Sequence, residues 1–222
     1  MKNRFSILFV LLLGLVLLAP TVAFADGHAT LVRVAHLSPD APAVDIWVND
    51  GVVLSDVPYK AVSDYLELPS GSHRIRVTPT GESEPVVIDA TVEFESDKAY
   101  TVAATGFLGE DDLQPLVLVD DRFTMMNESK IRFVHTSPDA PAVDVGQSDG
   151  SVVFGDVAFR ESSTYAQLPA GSYDLEVRVA GTMDIALSVP GVMLEEGTNY
   201  TVFAIGSLNE GTLEALPVVD AS

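Results

Sequence analysis

His36-Leu37-Ser38-Pro39-Asp40-Ala41-Pro42-Ala43-Val44-Asp45 returns 99 positions later as His135-Thr136-Ser137-Pro138-Asp139-Ala140-Pro141-Ala142-Val143-Asp144, with one of the ten residues changed. Upstream of each copy the chain alternates, as Leu31-Val32-Arg33-Val34-Ala35-His36 and Lys130-Ile131-Arg132-Phe133-Val134-His135. Alternation is the mark of a strand, and it puts Arg33 and Arg132 on one face and the larger apolar residues, with the two histidines, on the other. Inside the ten, two prolines and an aspartate spell a rigid turn.

Working outward, Val44 to Val48 leads into the Asp50-Gly51 turn, a pair favoured in tight hairpins. Short β-type runs follow at Val52–Leu54, Tyr65–Leu68, Ser72–Thr78, Pro85–Phe94, Tyr100–Phe107 and Gln114–Val119, separated by Pro, Gly and Ser turns. Such spacing predicts an all-β fold of antiparallel sandwich type. The second half repeats the first, and one extra residue near Ser151 moves the offset from 99 to 100: Tyr65 matches Tyr165, Leu68-Pro69 matches Leu168-Pro169, and Gly106 matches Gly206. Solenoid units run about 20 to 50 residues, so this period reads as a duplicated domain. The expected division is residues 1–25 as signal peptide, 26–121 as repeat 1, 122–129 as linker and 130–222 as repeat 2, with the linker short enough for the domains to touch.

The signal peptide is read from Lys2 and Arg4, the apolar run from Phe5 to Ala19, and the small-residue ending Ala23-Phe24-Ala25. Downstream, no apolar stretch reaches the length of a membrane span. The expected product is therefore secreted or held at the cell surface, without membrane insertion after cleavage. The formal charge is −20, and the cleaved segment carries two basic and no acidic residues, which takes it to −22. A surface so acidic repels phosphate backbones and anionic lipid, and this excludes nucleic-acid binding. With no cysteine in the chain, the domains must be held by their cores.

The twin signatures, each followed by Leu-Pro-x-Gly-Ser (Leu68–Ser72, Leu168–Ser172) and Tyr-Thr-Val (Tyr100–Val102, Tyr200–Val202), resemble the family of domains of unknown function numbered 4397. The resemblance covers nearly all of the chain beyond residue 25. It implies exported prokaryotic proteins carrying the module often in tandem, and an Ig-like or transthyretin-like sandwich. No reaction is implied. The copies diverge most where Ile46-Trp47-Val48-Asn49 becomes Val145-Gly146-Gln147-Ser148.

His36, Ser38 and Asp40, with His135, Ser137 and Asp139, are residue types found in hydrolytic triads. A triad is assembled from separated segments around a nucleophile on a sharp turn, whereas these lie within five residues and each serine precedes a proline, Pro39 or Pro138. The structural reading takes Asp and Ser as acceptors for turn N–H groups and the histidine as a loop fastener, with Pro42, Asp45, Pro141 and Asp144 completing the signature. No cofactor is expected. Ca²⁺ on Asp40, Asp45, Asp139 and Asp144 together with Glu110-Asp111-Asp112 is the one metal the acidic loops suggest, although no EF-hand pattern is present. Zn²⁺ fits less well, with four histidines and no cysteine.

Trp47, the only tryptophan, falls on the face opposite Val44, Ile46 and Val48 and is a candidate contact surface; the plainer reading has it covering the other domain or packing under a loop. Asn127-Glu128-Ser129 and Asn199-Tyr200-Thr201 match the glycosylation acceptor pattern, which chance also supplies. The functional expectation is a non-catalytic exported module that contacts a protein or a glycan. The alternatives are a hydrolase of envelope polymers and a structural spacer or matrix subunit.

Overall fold

The computed structural model describes residues 29–222, so the signal-peptide expectation at 1–25 lies outside the described residues. The first half contains β1 (Ala29–His36), β2 (Val44–Val48), β3 (Gly51–Val57), β4 (Leu66–Pro69), β5 (Gly71–Pro79), β6 (Ile88–Phe94), β7 (Ala99–Thr105) and β8 (Gln114–Asp120). The second repeats it as β9 (Ser129–His135), β10 (Val143–Gln147), β11 (Val152–Val157), β12 (Ala166–Leu168), β13 (Gly171–Val179), β14 (Ile185–Leu194), β15 (Asn199–Ile205) and β16 (Glu214–Ala221). The fold is all-β, with two tandem sandwiches and, among the described residues, no helix.

Each sandwich pairs two four-stranded sheets. The orders are β4-β1-β7-β8 and β3-β2-β5-β6 in the first, β12-β9-β15-β16 and β11-β10-β13-β14 in the second. One pair in each departs from the antiparallel expectation: β1 runs parallel to β7, with Val34 opposite Val102, and β9 parallel to β15, with Phe133 opposite Val202. Inward residues of both sheets make the cores. In the first half Val34, Val44, Ile46, Val77 and Ile88 meet, continuing into Val32, Ile75, Phe94, Tyr100 and Val102. In the second half Ile131, Phe133, Val145, Val177, Leu194 and Val202 meet.

A further apolar cluster joins the halves: Ala35, Leu37, Ala103 and Leu118 pack with Val134, Phe203 and Ile205. The sheets containing β1 and β9 therefore lie back to back in a four-layer stack, and β7, β9 and β15 are buried along their whole length. This is why the face carrying Arg33 and Arg132 is not a solvent face. Both guanidinium groups are buried and cross to the other half. Arg33 donates through Nε to Thr101 Oγ1 (2.8 Å), through Nη1 to the Val219 carbonyl (2.9 Å) and through Nη2 to Asp220 Oδ1. Arg132 mirrors it, donating to Thr201 Oγ1 (2.8 Å), the Val119 carbonyl (2.8 Å) and Asp120 Oδ1.

The rest of this polar layer is symmetric as well. The hydroxyls of Tyr65 and Thr101 donate to Asp120, and those of Tyr165 and Thr201 to Asp220, all at 2.7 Å. Each guanidinium carbon lies 4.8 Å from the ring centre of the tyrosine on its own half. At the rim, Lys60 pairs with Glu214, and Arg160 donates to Thr105 Oγ1 (3.1 Å) and Asp112 Oδ1 (3.1 Å).

Candidate functional site

The signature loop follows β1 and turns the chain into β2 of the opposite sheet, so it bridges the two layers. In each copy the histidine ends its strand facing inward and is buried. Its Nε2–H donates to a proline carbonyl, Pro42 for His36 and Pro141 for His135, both at 2.9 Å. Since a carbonyl can only accept, the tautomer carries its proton on Nε2. The Ser137 N–H correspondingly donates to His135 Nδ1 (3.3 Å). Tyr59 and Phe159 stand edge-on to the two imidazoles at 6.2 and 6.3 Å. The cavity touching His135 and Ser137 holds about 20 Å³.

The aspartates reach away from the histidines. Asp40 accepts N–H bonds from Leu108 (2.7 Å) and Gly109 (2.8 Å) in the β7–β8 loop, and a hydroxyl bond from Ser38 (3.2 Å). Asp139 accepts from Leu208 (2.8 Å), Asn209 (3.0 Å) and the Ser207 hydroxyl (2.6 Å). Asp45 takes the Asp56 and Gly81 N–H groups, both at 2.9 Å, while Asp144 takes those of Asp156 (2.7 Å) and Gly181 (2.9 Å). Asp56 and Asp156 hold positive φ, 56° and 53°, at the end of their strands, and the carboxylate anchors that unusual backbone. Imidazole and carboxylate are therefore committed to different stretches of backbone, and the serine hydroxyl donates to the carboxylate and not to the imidazole. The acidic residues considered for Ca²⁺ are dispersed in the same way, Asp112 against Arg160, and among the described residues no three His, Asp or Glu side chains gather in metal-binding geometry.

Burial dominates the histidines and pushes both imidazoles below their ordinary value, with the proline carbonyls pulling weakly upward. For Asp40 and Asp139 burial pushes upward, but the loop N–H groups and serine hydroxyls outweigh it and hold both carboxyls below the usual range. Asp144 is held low by the Gly181 and Asp156 N–H groups. A pKa lowered on folding means that the unfolded chain binds the proton first, so stability falls as pH drops through the unfolded value toward the folded one. Two acid steps are expected. The first begins as pH falls below about 6.5, from the histidines, and the second below about 3.8, from the aspartates. Urea melts between pH 7 and 3 check this, and His36→Asn with His135→Asn should flatten the upper step while leaving the lower one.

Trp47 lies half-buried on the outer face of the β3-β2-β5-β6 sheet, away from the other half. Its Nε1–H donates to Thr78 Oγ1 (3.1 Å), and the Arg76 guanidinium lies 5.1 Å from its ring centre. In the second copy a Cβ at Gly146 would stand 1.9 Å from the Ser151 carbonyl oxygen, so the extra residue of that hairpin occupies the space a side chain would need. Arg178 covers the vacated face, buried, and donates to the Gln147 carbonyl (2.6 Å) and Glu176. Of the glycosylation triplets, Asn199 is buried with its Nδ2 donating to the carbonyls of Asp121 (2.7 Å) and Phe123 (3.0 Å), and Asn127 sits in the exposed linker turn.

Sequence reasoning missed two features. The first is the Arg–Thr–Asp layer, whose signal was the recurrence of Asp120 and Tyr65 as Asp220 and Tyr165. The second is an apolar cavity in the second sandwich, for which Pro190-Gly191 inside a strand was the signal.

Solved structures similar in part include the TIE protein of Bacillus anthracis, at 13% identity and TM-score 0.25 over 81% of this chain and 34% of that one. Another is a carbohydrate-binding module of family 26 from Eubacterium rectale in complex with maltoheptaose, at 8% identity and TM-score 0.26 over 84% and 95%. A third is a leucine-rich repeat protein of Bacteroides thetaiotaomicron, at 13% identity and TM-score 0.23 over 82% and 26%. The chain thus spans about a third of the TIE protein's length. Among curated proteins none matches this sequence. The model of the domain of unknown function DUF4397 matches twice, over residues 30–146 and 129–222, and the chain belongs to that family.

Proposed function

We propose that this chain is an exported, non-catalytic interaction module, secreted or held at the cell surface, that contacts a protein or a glycan. The observation that carries this reading is the commitment of the signature-loop aspartate carboxylates and of both histidine Nε2 atoms to the fold, with His36 Nδ1 enclosed and unpartnered. His36 and His135 bond proline carbonyls, and Asp40, Asp45, Asp139 and Asp144 bond backbone N–H groups. A hydrolase needs an imidazole within reach of a substrate, and a cavity of about 20 Å³ beside His135 admits about one water.

Trp47 is the contact residue in this reading. A large ring on an outer sheet, with Arg74, Arg76 and Asp89 beside it, joins apolar area to polar groups at one place. Pull-down from envelope extracts and a glycan array, run with the intact chain and with Trp47→Ala, test it. Trp47→Ala is expected to weaken capture by about 2 kcal/mol, the scale of an interface hot spot. Because Trp47 is the only tryptophan, its fluorescence reports binding directly. Capture unchanged by Trp47→Ala would remove this face from the proposal, and no capture in either format would remove the interaction reading.

A further inference from the structure

We infer that the second sandwich binds the aliphatic chain of an uncharged amphiphile in a slot between its two sheets. This goes beyond the interaction reading, since the ligand is a small molecule and its test needs no macromolecular partner. The slot has a volume of about 430 Å³ and runs among Phe133, Leu175, Leu187, Val189, Leu194 and Val202. Its mouth lies between β14 and β16, where Met193 and Val219 are exposed. Pockets for small ligands span about 300–1,000 Å³ with mostly apolar walls, and no charged side chain lines this one.

The first sandwich is an internal control, because a buried aromatic ring closes the matching place there. Phe94 is buried at the matching place, with its ring 5.8 Å from His73 and 5.0 Å from Tyr100. His73 turns inward while its Nε2–H reaches the Pro69 carbonyl (2.8 Å). In the second copy Phe94 is replaced by Leu194, which removes a ring. His73 is replaced by Tyr173, whose hydroxyl makes the same bond to the Pro169 carbonyl (2.8 Å) from a longer side chain that stays near the surface.

The edge strand differs too. On β6 the pairing is regular, with Ile75 opposite Ala90 and Val77 opposite Ile88. On β14 the register slips between Tyr173 and Leu175, with Gly191 at φ 68° donating its N–H to Asp174 Oδ1 (2.9 Å). Such a bulge bends the strand and re-aims its side chains. Leu187 and Val189 now face the interior without filling it, whereas Ile88 is buried in its copy.

What fills the closed copy beside the His73 imidazole is the Phe94 ring and aliphatic side chains, and this apolar filling sets the chemistry of the occupant of the open one. The charge of the chain, −20, selects among hydrocarbons by their head groups: an anionic head at the mouth would be repelled, and a neutral one would not. The test uses the intact chain with the neutral dye N-phenyl-1-naphthylamine, followed by displacement with 1-decanol and with decanoate. The expected results are saturable one-site dye binding and displacement by decanol at lower concentration than by decanoate. Leu194→Phe with Tyr173→His carries the first copy's residues into the slot, and Ala215→Leu narrows the opposite wall. Each should weaken the dye by about tenfold or more with the fold retained by circular dichroism.

A readout without mutation is methyl NMR on decanol titration. Shifts should move at Leu187, Val189 and Leu194 and stay fixed at Ile75, Ile88 and Val92 of the first copy. Absence of saturable binding, affinity unchanged in a folded slot variant, or methyl shifts confined to the first copy would overturn the site. Equal displacement by decanoate would overturn the choice of a neutral head.

Discussion

Replacing Arg33 by methionine is expected to cost the folded chain about 3–5 kcal/mol, the usual loss when one member of a buried ion pair is removed. Methionine keeps much of the length and apolar stem, so packing changes little. What is lost is charge and five donors. Asp220, buried at the end of β16, would keep only Tyr165 and Thr201 as side-chain donors and lose its cationic partner from the other half. Burial already pushes the Asp220 carboxyl upward, opposed by Arg33, Tyr165, Arg132 and Thr201. Without Arg33 the balance tips toward protonation. For a chain of this size the loss corresponds to a melting temperature lower by on the order of 10 °C. Adding Asp220→Asn should recover part of the loss, because the stranded charge is gone, and a thermodynamic cycle over Arg33→Met and Asp220→Asn measures the coupling. A loss under about 1 kcal/mol in the single variant would place this exchange among ordinary surface pairs.

The second large effect is expected at Asp139. Alanine there leaves the Leu208 and Asn209 N–H groups and the Ser207 hydroxyl without their acceptor, and the cost is about 2 kcal/mol or somewhat more. The loop is partly exposed, so water takes up some of these donors and holds the loss below that at Arg33. Amide exchange gives the local signature: protection of Leu208 and Asn209 should drop well before that of the β15 core. Asp139→Asn should also destabilise, since an amide offers one acceptor oxygen where the loop presents several donors. If exchange at Leu208 and Asn209 did not change, the carboxylate would not be what holds the two loops together.

The fold was legible because two signals agreed. Strand alternation with turn residues gave short β elements, and the repeat showed that the set occurs twice. What alternation could not give was the fate of the second face of each strand. Val32, Val34 and His36 announced an interior, and alternation set Arg33 on the opposite face without assigning its surroundings, a face that for a charged residue is normally a wet exterior. Only the docking of a second sandwich turns that exterior into a buried layer, and local sequence does not record it. The parallel β1–β7 pair was hidden for a related reason, since adjacency of distant strands is a property of the whole topology. The polar groups of the signature were read from local chemistry, as aspartate and serine before turns have few other uses. Their partners in the β7–β8 and β15–β16 loops, nearly 70 residues away, had no local mark.

The crossed arginines bear on how such a gene can be rearranged. Each copy carries its own signature, core and turns, so recombination would treat it as a free-standing cassette. Yet each leaves a guanidinium and a row of apolar residues facing outward, shaped for a sibling rather than for water. A singly inherited copy would meet that need with another polypeptide, and the smallest portable piece of this protein is the couple.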